Sequence, residues 1–467
     1  MILKQYYLGC LAHASYLVGD EQGGVAAVVD PQRDVDQYVD DARGMGVSIR
    51  YVVLTHFHAD FVAGHIELRD RVGAQICLGG RAQADYPFTP LREHDHLDLG
   101  GVRLEILETP GHTPEAISLL VFDRAVDEKT PRAVLTGDTL FIGDVGRPDL
   151  MASAGFTSEE LAGMLYDSLR DKLMKLPDET LVYPAHGAGS MCGKNLSKDT
   201  VSTIGEQRRF NYALQPMDKP EFIRLVTADQ PEAPKYFSHD ADLNRRSRST
   251  LEESLGKALT PLTLEETLAR ANRGAQVLDV RDPADFAGAH MAGSINIGLG
   301  GKFATWAGTL LDKDRPIVLI AEPGREHEAA TRLGRIGLDD IVGFLDGGML
   351  ALAVRPDLVL RTERITAGTL AAQMAATAPP IVLDVRAAGE WRDKRIEGSL
   401  NIPLDHLEAR LAEVPRDRTV AVHCATGYRS SIAASLLARH GVTDLVDLVG
   451  GLAAWEAARL PVAASAR

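Results

Sequence analysis

The sequence predicts a multidomain chain of mixed α/β and α+β architecture, and three observations carry that prediction. In the first half, apolar strand-like runs end repeatedly in histidine or aspartate. In the second half, one long element occurs twice, with strand and helix signals alternating inside each copy. The length, 467 residues of which 45% are hydrophobic and 25% charged, suits two to four domains with cores of their own.

The first of these elements is Tyr51 to Leu54, an apolar strand that runs into Thr55-His56-Phe57-His58-Ala59-Asp60-Phe61. Histidines at i and i+2 of an extended chain point to the same side, which suits them to holding a metal ion. Further strand-like runs lead into His112 (Thr109-Pro110-Gly111-His112-Thr113), Asp138 (Leu135-Thr136-Gly137-Asp138-Thr139) and His186 (Tyr183-Pro184-Ala185-His186-Gly187). This ordered set resembles the metallo-β-lactamase superfamily over roughly the first half of the chain, and the resemblance implies an N-terminal αββα sandwich. In the binuclear hydrolases of that family, a histidine follows the motif aspartate and helps hold a second metal. Here the position is Phe61, which cannot ligate. Similarity to the mononuclear members implies one metal held by His56, His112 and Asp138, with His58, Asp60 and His186 orienting ligands or substrate around it. Two imidazoles and one carboxylate with open positions make the facial triad of non-haem Fe(II) oxygenases. Zinc in a similar set would polarise water instead.

The repeat fills the second half. Val277-Leu278-Asp279-Val280-Arg281 recurs as Val382-Leu383-Asp384-Val385-Arg386, followed in both copies by an aromatic residue (Phe286, Trp391), a basic or imidazole residue (His290, Arg395) and Gly-Ser-Ile/Leu-Asn-Ile. Gly347-Gly348 then matches Gly450-Gly451. Each copy reads strand, helix, strand, helix, with Pro316 to Ala321 and Thr419 to His423 as central strands of parallel sheets. Two copies argue for duplicated domains, not a solenoid. The polar stretch Ser238 to Glu252 and the segment Arg355 to Thr366 are the expected linkers.

In the second copy, His423-Cys424-Ala425-Thr426-Gly427-Tyr428-Arg429-Ser430 lies between an apolar strand and the helix pattern Ser431 to Arg439. A cysteine in a tight loop ahead of a helix meets backbone N–H groups and the positive end of the helix dipole, and Arg429 adds a full charge, so the anionic sulfur is favoured. Cysteine-dependent phosphatases place five residues between Cys and Arg; this loop has four, Ala425, Thr426, Gly427 and Tyr428. With the repeated motifs, it resembles the rhodanese sulfurtransferases. The first copy reads Leu319-Ile320-Ala321-Glu322-Pro323-Gly324-Arg325-Glu326 and has no cysteine. It is expected to be an inactive rhodanese-like domain, a spacer or docking surface.

The order of these parts, with Gly137 to Asp149 included, resembles the multidomain bacterial persulfide dioxygenase–sulfurtransferase fusions across essentially the whole chain. That resemblance implies domains at 1–250 (metal), 258–358 (inactive rhodanese-like) and 362–467 (active rhodanese). It implies one Fe(II) per chain, a low-molecular-weight thiol persulfide and O2 as substrates, sulfite as product, and sulfur transfer by Cys424 onto sulfite to give thiosulfate. Two other classes stay open: a glyoxalase II-like thioester hydrolase with a rhodanese appendage, disfavoured by Phe61, and a sulfur carrier without oxygenase activity.

Arg147, in Gly146-Arg147-Pro148-Asp149, reads either as an ion pair or as a clamp for the carboxylate of a thiol carrier. Cys192 lies in a glycine-rich loop that starts at His186; it is a candidate catalytic thiol if the loop brings it to the metal pocket with Lys194 nearby, and otherwise an ordinary loop cysteine. Cys10 and Cys77 fall in apolar strand patterns and read as core. Four scattered cysteines favour a reducing cytoplasm, and the net charge of −15 argues against nucleic acid or a polybasic membrane contact. No run reaches the length of a membrane span, and Met1 to Val18 lacks the pattern of a secretory leader. A homo-oligomer is compatible with all of this.

Overall fold

The computed structural model describes residues 1–150 and 155–464. The chain divides into two compact units, Met1–Glu252 with Gly334–Gly337, and the remainder of Glu253–Arg467.

The first unit is built on two six-stranded sheets. One has the order β1 (Ile2–Leu8), β2 (His13–Asp20), β3 (Val25–Val29), β4 (Ser48–Val53), β5 (Gln75–Gly79), β6 (Thr89–Leu91); the other contains β7 (His96–Asp98), β8 (Val102–Glu108), β9 (Ile117–Asp123), β10 (Ala133–Gly137), β11 (Leu181–Pro184) and β12 (Ser202–Thr203), again side by side in sequence order. Their inner faces share one core. Ala14, Tyr16, Val18, Val29 and Val53 of the first sheet meet Leu104, Ile106, Leu119, Val121 and Leu135 of the second. Alternation along the strands sends Leu120, Phe122, Val134 and Val182 to the outer face of the second sheet. There they pack with Ala162, Leu165 and Leu169 of the helix Ser158–Asp171. The helices Asp36–Gly44 and His65–Val72 cover the first sheet. Both sheets are thus apolar on two faces, and the αββα sandwich follows from burying all four.

The stretch Ser238 to Glu252 is not a linker. The helix Phe237–Leu243 starts just before it, Asn244 is fully buried, and Arg248 pairs with the buried Glu67 at 2.6 Å. Its polarity reflects buried polar partners within the first unit.

The second unit holds the duplication. Strands β13 (Pro261–Leu262), β14 (Gln276–Asp279), β16 (Ile295–Asn296), β17 (Ile317–Ile320) and β18 (Ile341–Leu345) form a parallel sheet of order 13-18-17-14-16. Between them in sequence, β15 (His290–Met291) pairs with β19 (Val359–Leu360). Strands β20 (Glu363–Ile365), β21 (Ile381–Asp384), β22 (Leu400–Asn401), β23 (Val420–His423) and β24 (Leu445–Leu448) repeat the arrangement as 20-24-23-21-22. The segment Arg355 to Thr366 therefore contributes β19 and β20 and is no plain linker. The register coincides: Asp279 faces Ile320 in one copy and Asp384 faces His423 in the other. Ala321 and Cys424 hence occupy the same place at the end of a central strand.

Candidate metal centre and sulfur loop

All six polar residues of the metal motif lie in loops at one end of the sandwich. His56, His58 and Asp60 follow β4, His112 lies between β8 and β9, Asp138 follows β10, and His186 follows β11. Glycines allow the approach: Gly137 has φ +52°, and a Cβ there would lie 2.5 Å from Thr55 Oγ1. A Cβ on Gly146 would lie 1.9 Å from the Asp138 carbonyl oxygen.

Potential ligand atoms of His56, His112 and Asp138 lie within 4.8 Å of one another. The two Nε2 atoms stand 3.8 and 3.6 Å from Asp138 Oδ2. A second trio, His58, Asp60 and His186, converges in the same way, with His186 Nε2 3.5 Å from Asp60 and 3.6 Å from Asp138. Phe61 is buried beside them, its ring 4.0 Å from His13 and 4.4 Å from His58 between centroids. An apolar ring thus stands in the histidine cluster.

Burial drives His13, His112 and His186 down to about 4 and His56 and His58 well below the usual imidazole value. It raises Asp30 and Asp60 to about 6 and Asp138 well above the carboxylate range. Asp60 Oδ1, His58 Nδ1 and His186 Nε2 lack hydrogen-bond partners, and Asp138 has only the Cys192 thiol against its carboxylate. So many buried polar atoms short of partners in one place are costly without a cation, and the residues fit a divalent metal.

The second nitrogens are held. His112 Nδ1 lies 2.8 Å from the Arg147 carbonyl oxygen. Thr55 Oγ1 donates to Asp30 Oδ2 at 2.8 Å and can accept from His56 Nδ1 at 3.0 Å, which leaves His56 Nε2 for the metal. The Thr55 amide also donates to Asp30. Asp30 and Thr55 were not singled out in the sequence, although Asp30 ends an apolar strand, β3, as the motif residues do. Asn244, whose amide group donates to the carbonyls of His58 and Phe61, left no local signal at all.

Arg147 serves the site through its carbonyl. Its buried guanidinium is taken by Asp149, with two contacts of 2.7 Å, and by the carbonyls of Met191 and Pro231, which leaves it little freedom to reach a substrate carboxylate. Cys192 is buried and reaches within ligand distance of Asp138 and His186. Burial and the carboxylates of Asp60 and Asp138 push its thiol well up. Lys194 does not counter this, because its ammonium points to the Ala228 carbonyl. Cys77 is buried in β5, as expected, but Cys10 lies half-buried in the turn between β1 and β2.

In the second unit, Cys424 is buried at the end of β23, and the Gly427 N–H donates to its sulfur at 3.2 Å. Ser430 Oγ stands 3.9 Å from it. The helix Tyr428–Arg439 begins three residues earlier than its apolar pattern suggested, so its N-terminus closes the loop. Cys424 and Ala425 carbonyls accept from Leu452 and Ala453. Ala425 and Thr426 form the outer rim, and Thr426 is exposed. Arg429 makes a two-pronged pair with Glu390 at 2.7 and 2.9 Å, so its charge is shared with that carboxylate. In the first copy, the Gly324 N–H, which corresponds to that of Gly427, donates to Glu326 at 2.8 Å. That loop lacks the sulfur and also fills its anion position with its own carboxylate.

The chain belongs to the metallo-beta-lactamase superfamily, whose family model matches residues 8–186, and it carries two rhodanese-like domains, matched at 263–353 and 366–458. Within that class, its N-terminal half is similar to "Persulfide dioxygenase ETHE1, mitochondrial" of Bos taurus, 30% identical over 243 residues, or 50% of this chain and 83% of the relative. The Mus musculus protein of the same name is 30% identical over 48% of this chain and 80% of its own length. Among solved structures, a metallo-beta-lactamase from Staphylococcus aureus subsp. aureus COL superimposes with a TM-score of 0.66 at 31% identity, over 73% of this chain and 98% of that one. No helix among the described residues is long and apolar enough to cross a membrane.

Proposed function

We propose that this protein oxidises low-molecular-weight thiol persulfides with O2 at a mononuclear non-haem Fe(II) and couples that reaction to sulfur transfer through Cys424. The observation that carries the reading is the buried His56, His112 and Asp138 cluster with Phe61 beside it, in a chain similar to persulfide dioxygenases. The division into 1–250, 258–358 and 362–467 goes with it.

His56, His112 and Asp138 would hold the metal, and a ferrous ion there supplies the O2 activation that no side chain provides. The protein's own part is to keep both imidazoles neutral and oriented: Arg147 O fixes the His112 ring, and the Asp30–Thr55 pair fixes His56. The net oxidation is R-S-SH + O2 + H2O giving R-SH, sulfite and two protons. At the second centre, the Cys424 thiolate takes the outer sulfur of a persulfide, releasing R-SH, and becomes a cysteine persulfide anion. Sulfite attacks the outer sulfur, the S–S bond breaks, thiosulfate leaves and the thiolate returns. Cys192, whose sulfur lies near Asp138 and His186, is the candidate thiol to meet the substrate's sulfur.

Anaerobically purified protein is expected to hold about one iron per chain and to consume O2 with at least one of glutathione, coenzyme A or cysteine persulfide. The convergence of His58, Asp60 and His186 favours a second reading, a two-metal thioester hydrolase. Two zinc ions per chain and thioester cleavage without O2 uptake would establish that reading in place of ours.

A further inference from the structure

Tyr428 belongs to the Cys424 loop, but it is received by the other copy of the repeat. Its hydroxyl donates to the Gly298 carbonyl at 2.7 Å. The segment Gly298-Leu299-Gly300-Gly301 forms the slot, and a Cβ on Gly301 would lie 2.5 Å from Cζ of the Tyr428 ring. Only glycine leaves room for the ring there. Arg332 ties the slot down, donating to the Leu299 carbonyl at 2.7 Å and to that of Gly301 at 3.4 Å.

Asn296, just upstream, grips the same helix. Its Oδ1 accepts from Ser431 Oγ at 2.7 Å, and its backbone N–H donates to Ser435 Oγ at 3.0 Å. The Asn296 side-chain amide is itself anchored on the Asp279 and Arg281 carbonyls, both at 3.1 Å. Asn401, its counterpart in the second copy, bonds the equivalent carbonyls of Asp384 and Arg386. One motif thus builds both domains, and in the first copy it also holds the helix that starts at the sulfur loop.

Gly427 stands directly before Tyr428 at φ +106°, and its N–H is the donor to Cys424 Sγ. A displaced Tyr428 ring is therefore felt one residue away, at the amide that faces the sulfur. We infer that the cysteine-less copy is a positioning element of the sulfurtransferase site: its Gly298–Gly301 segment clamps Tyr428 and so holds the Gly427 amide and the helix start on Cys424. The inference rests on Cys424 being the sulfur acceptor, and it gives the copy without a cysteine a task in that reaction. Tyr428, Gly298 and Gly301 act through the loop and do not touch substrate.

The test is steady-state thiosulfate:cyanide sulfur transfer by the full-length protein. Tyr428→Phe keeps the ring and loses one hydrogen bond, so kcat is expected to fall roughly five- to tenfold with KM for thiosulfate little changed. Gly301→Ala is expected to slow the wild type but to add little in a Tyr428→Ala background, where the clash is gone; a double-mutant cycle reads that coupling. Cys424→Ser, measured alongside, separates the two claims. If it still turns over, the acceptor assignment fails. If it is inactive while Tyr428→Phe keeps the wild-type kcat, or while Gly301→Ala costs the same in both backgrounds, the positioning role is overturned. Should Gly301→Ala not fold, the near-isosteric Tyr428→Phe decides alone.

Discussion

His56, His112 and Asp138 hang from three separate strand ends, so no one of them can be replaced by a neighbour in sequence. Alanine at any of the three should abolish iron binding and persulfide-dependent O2 uptake while thiosulfate:cyanide transfer continues, because Cys424 lies in the other compact unit. Normal O2 uptake in one of these variants would reject that residue as a ligand. The groups behind the ligands matter at a smaller scale. Thr55→Val removes the hydroxyl that links Asp30 to the His56 ring, and loss of such an orienting partner costs about 10- to 100-fold in metal affinity or activity. Iron titration of the apoprotein checks this; unchanged affinity would make the Asp30–Thr55 pair purely structural. His56, His112 and Asp138 stood out in sequence because each follows an apolar run, and their reading as ligands came from the family resemblance. The Asp30–Thr55 link did not stand out, since it joins two strands through space.

Among elements, the helix His65–Val72 carries a buried carboxylate, Glu67. Burial alone would raise Glu67, but Arg248 and Arg33 outweigh it and hold its carboxyl down to about 2. Arg33 Nε and Arg248 Nη1 lie 2.9 and 2.6 Å from the same oxygen. This cluster pins the stretch that follows the helix Phe237–Leu243 onto the first sheet's outer layer, which is why polar composition misread that stretch as a linker. A folded-state value below the unfolded one of about 4.3 fixes the sign. The contribution is complete above the unfolded value and is lost as pH falls through the folded one. Denaturant unfolding should accordingly show stability dropping from about pH 4.3 toward 2, and Glu67→Gln should flatten that limb. At neutral pH the substitution removes the carboxylate that Arg33 and Arg248 share and should cost about 3–5 kcal/mol. A loss well under that range would show that water reaches the cluster.

At the scale of the whole molecule, the sequence order of a first half and a duplicated half was readable because each half repeats its own pattern: histidines and aspartates at strand ends in one, Leu-Asp-Val-Arg in the other. What composition could not disclose is that the duplicated half packs as a single compact unit, with the helix Tyr428–Arg439 of one copy seated on β16 of the other. The candidate metal residues and Cys424 therefore lie in two different compact units. Under the proposed function, Cys424→Ser should still consume O2 with persulfide but release sulfite in place of thiosulfate, and His56→Ala should do neither oxidation nor net thiosulfate formation. Mixing the two full-length variants supplies one intact centre of each kind, joined only by dissolved sulfite. Thiosulfate should reappear in the mixture at a rate that rises with the concentration of the His56→Ala chain, against a baseline set by Cys424→Ser alone. If the mixture gives no more thiosulfate than that baseline while the wild type forms it stoichiometrically, sulfite does not travel through solution, and the two units must hand it over within one chain.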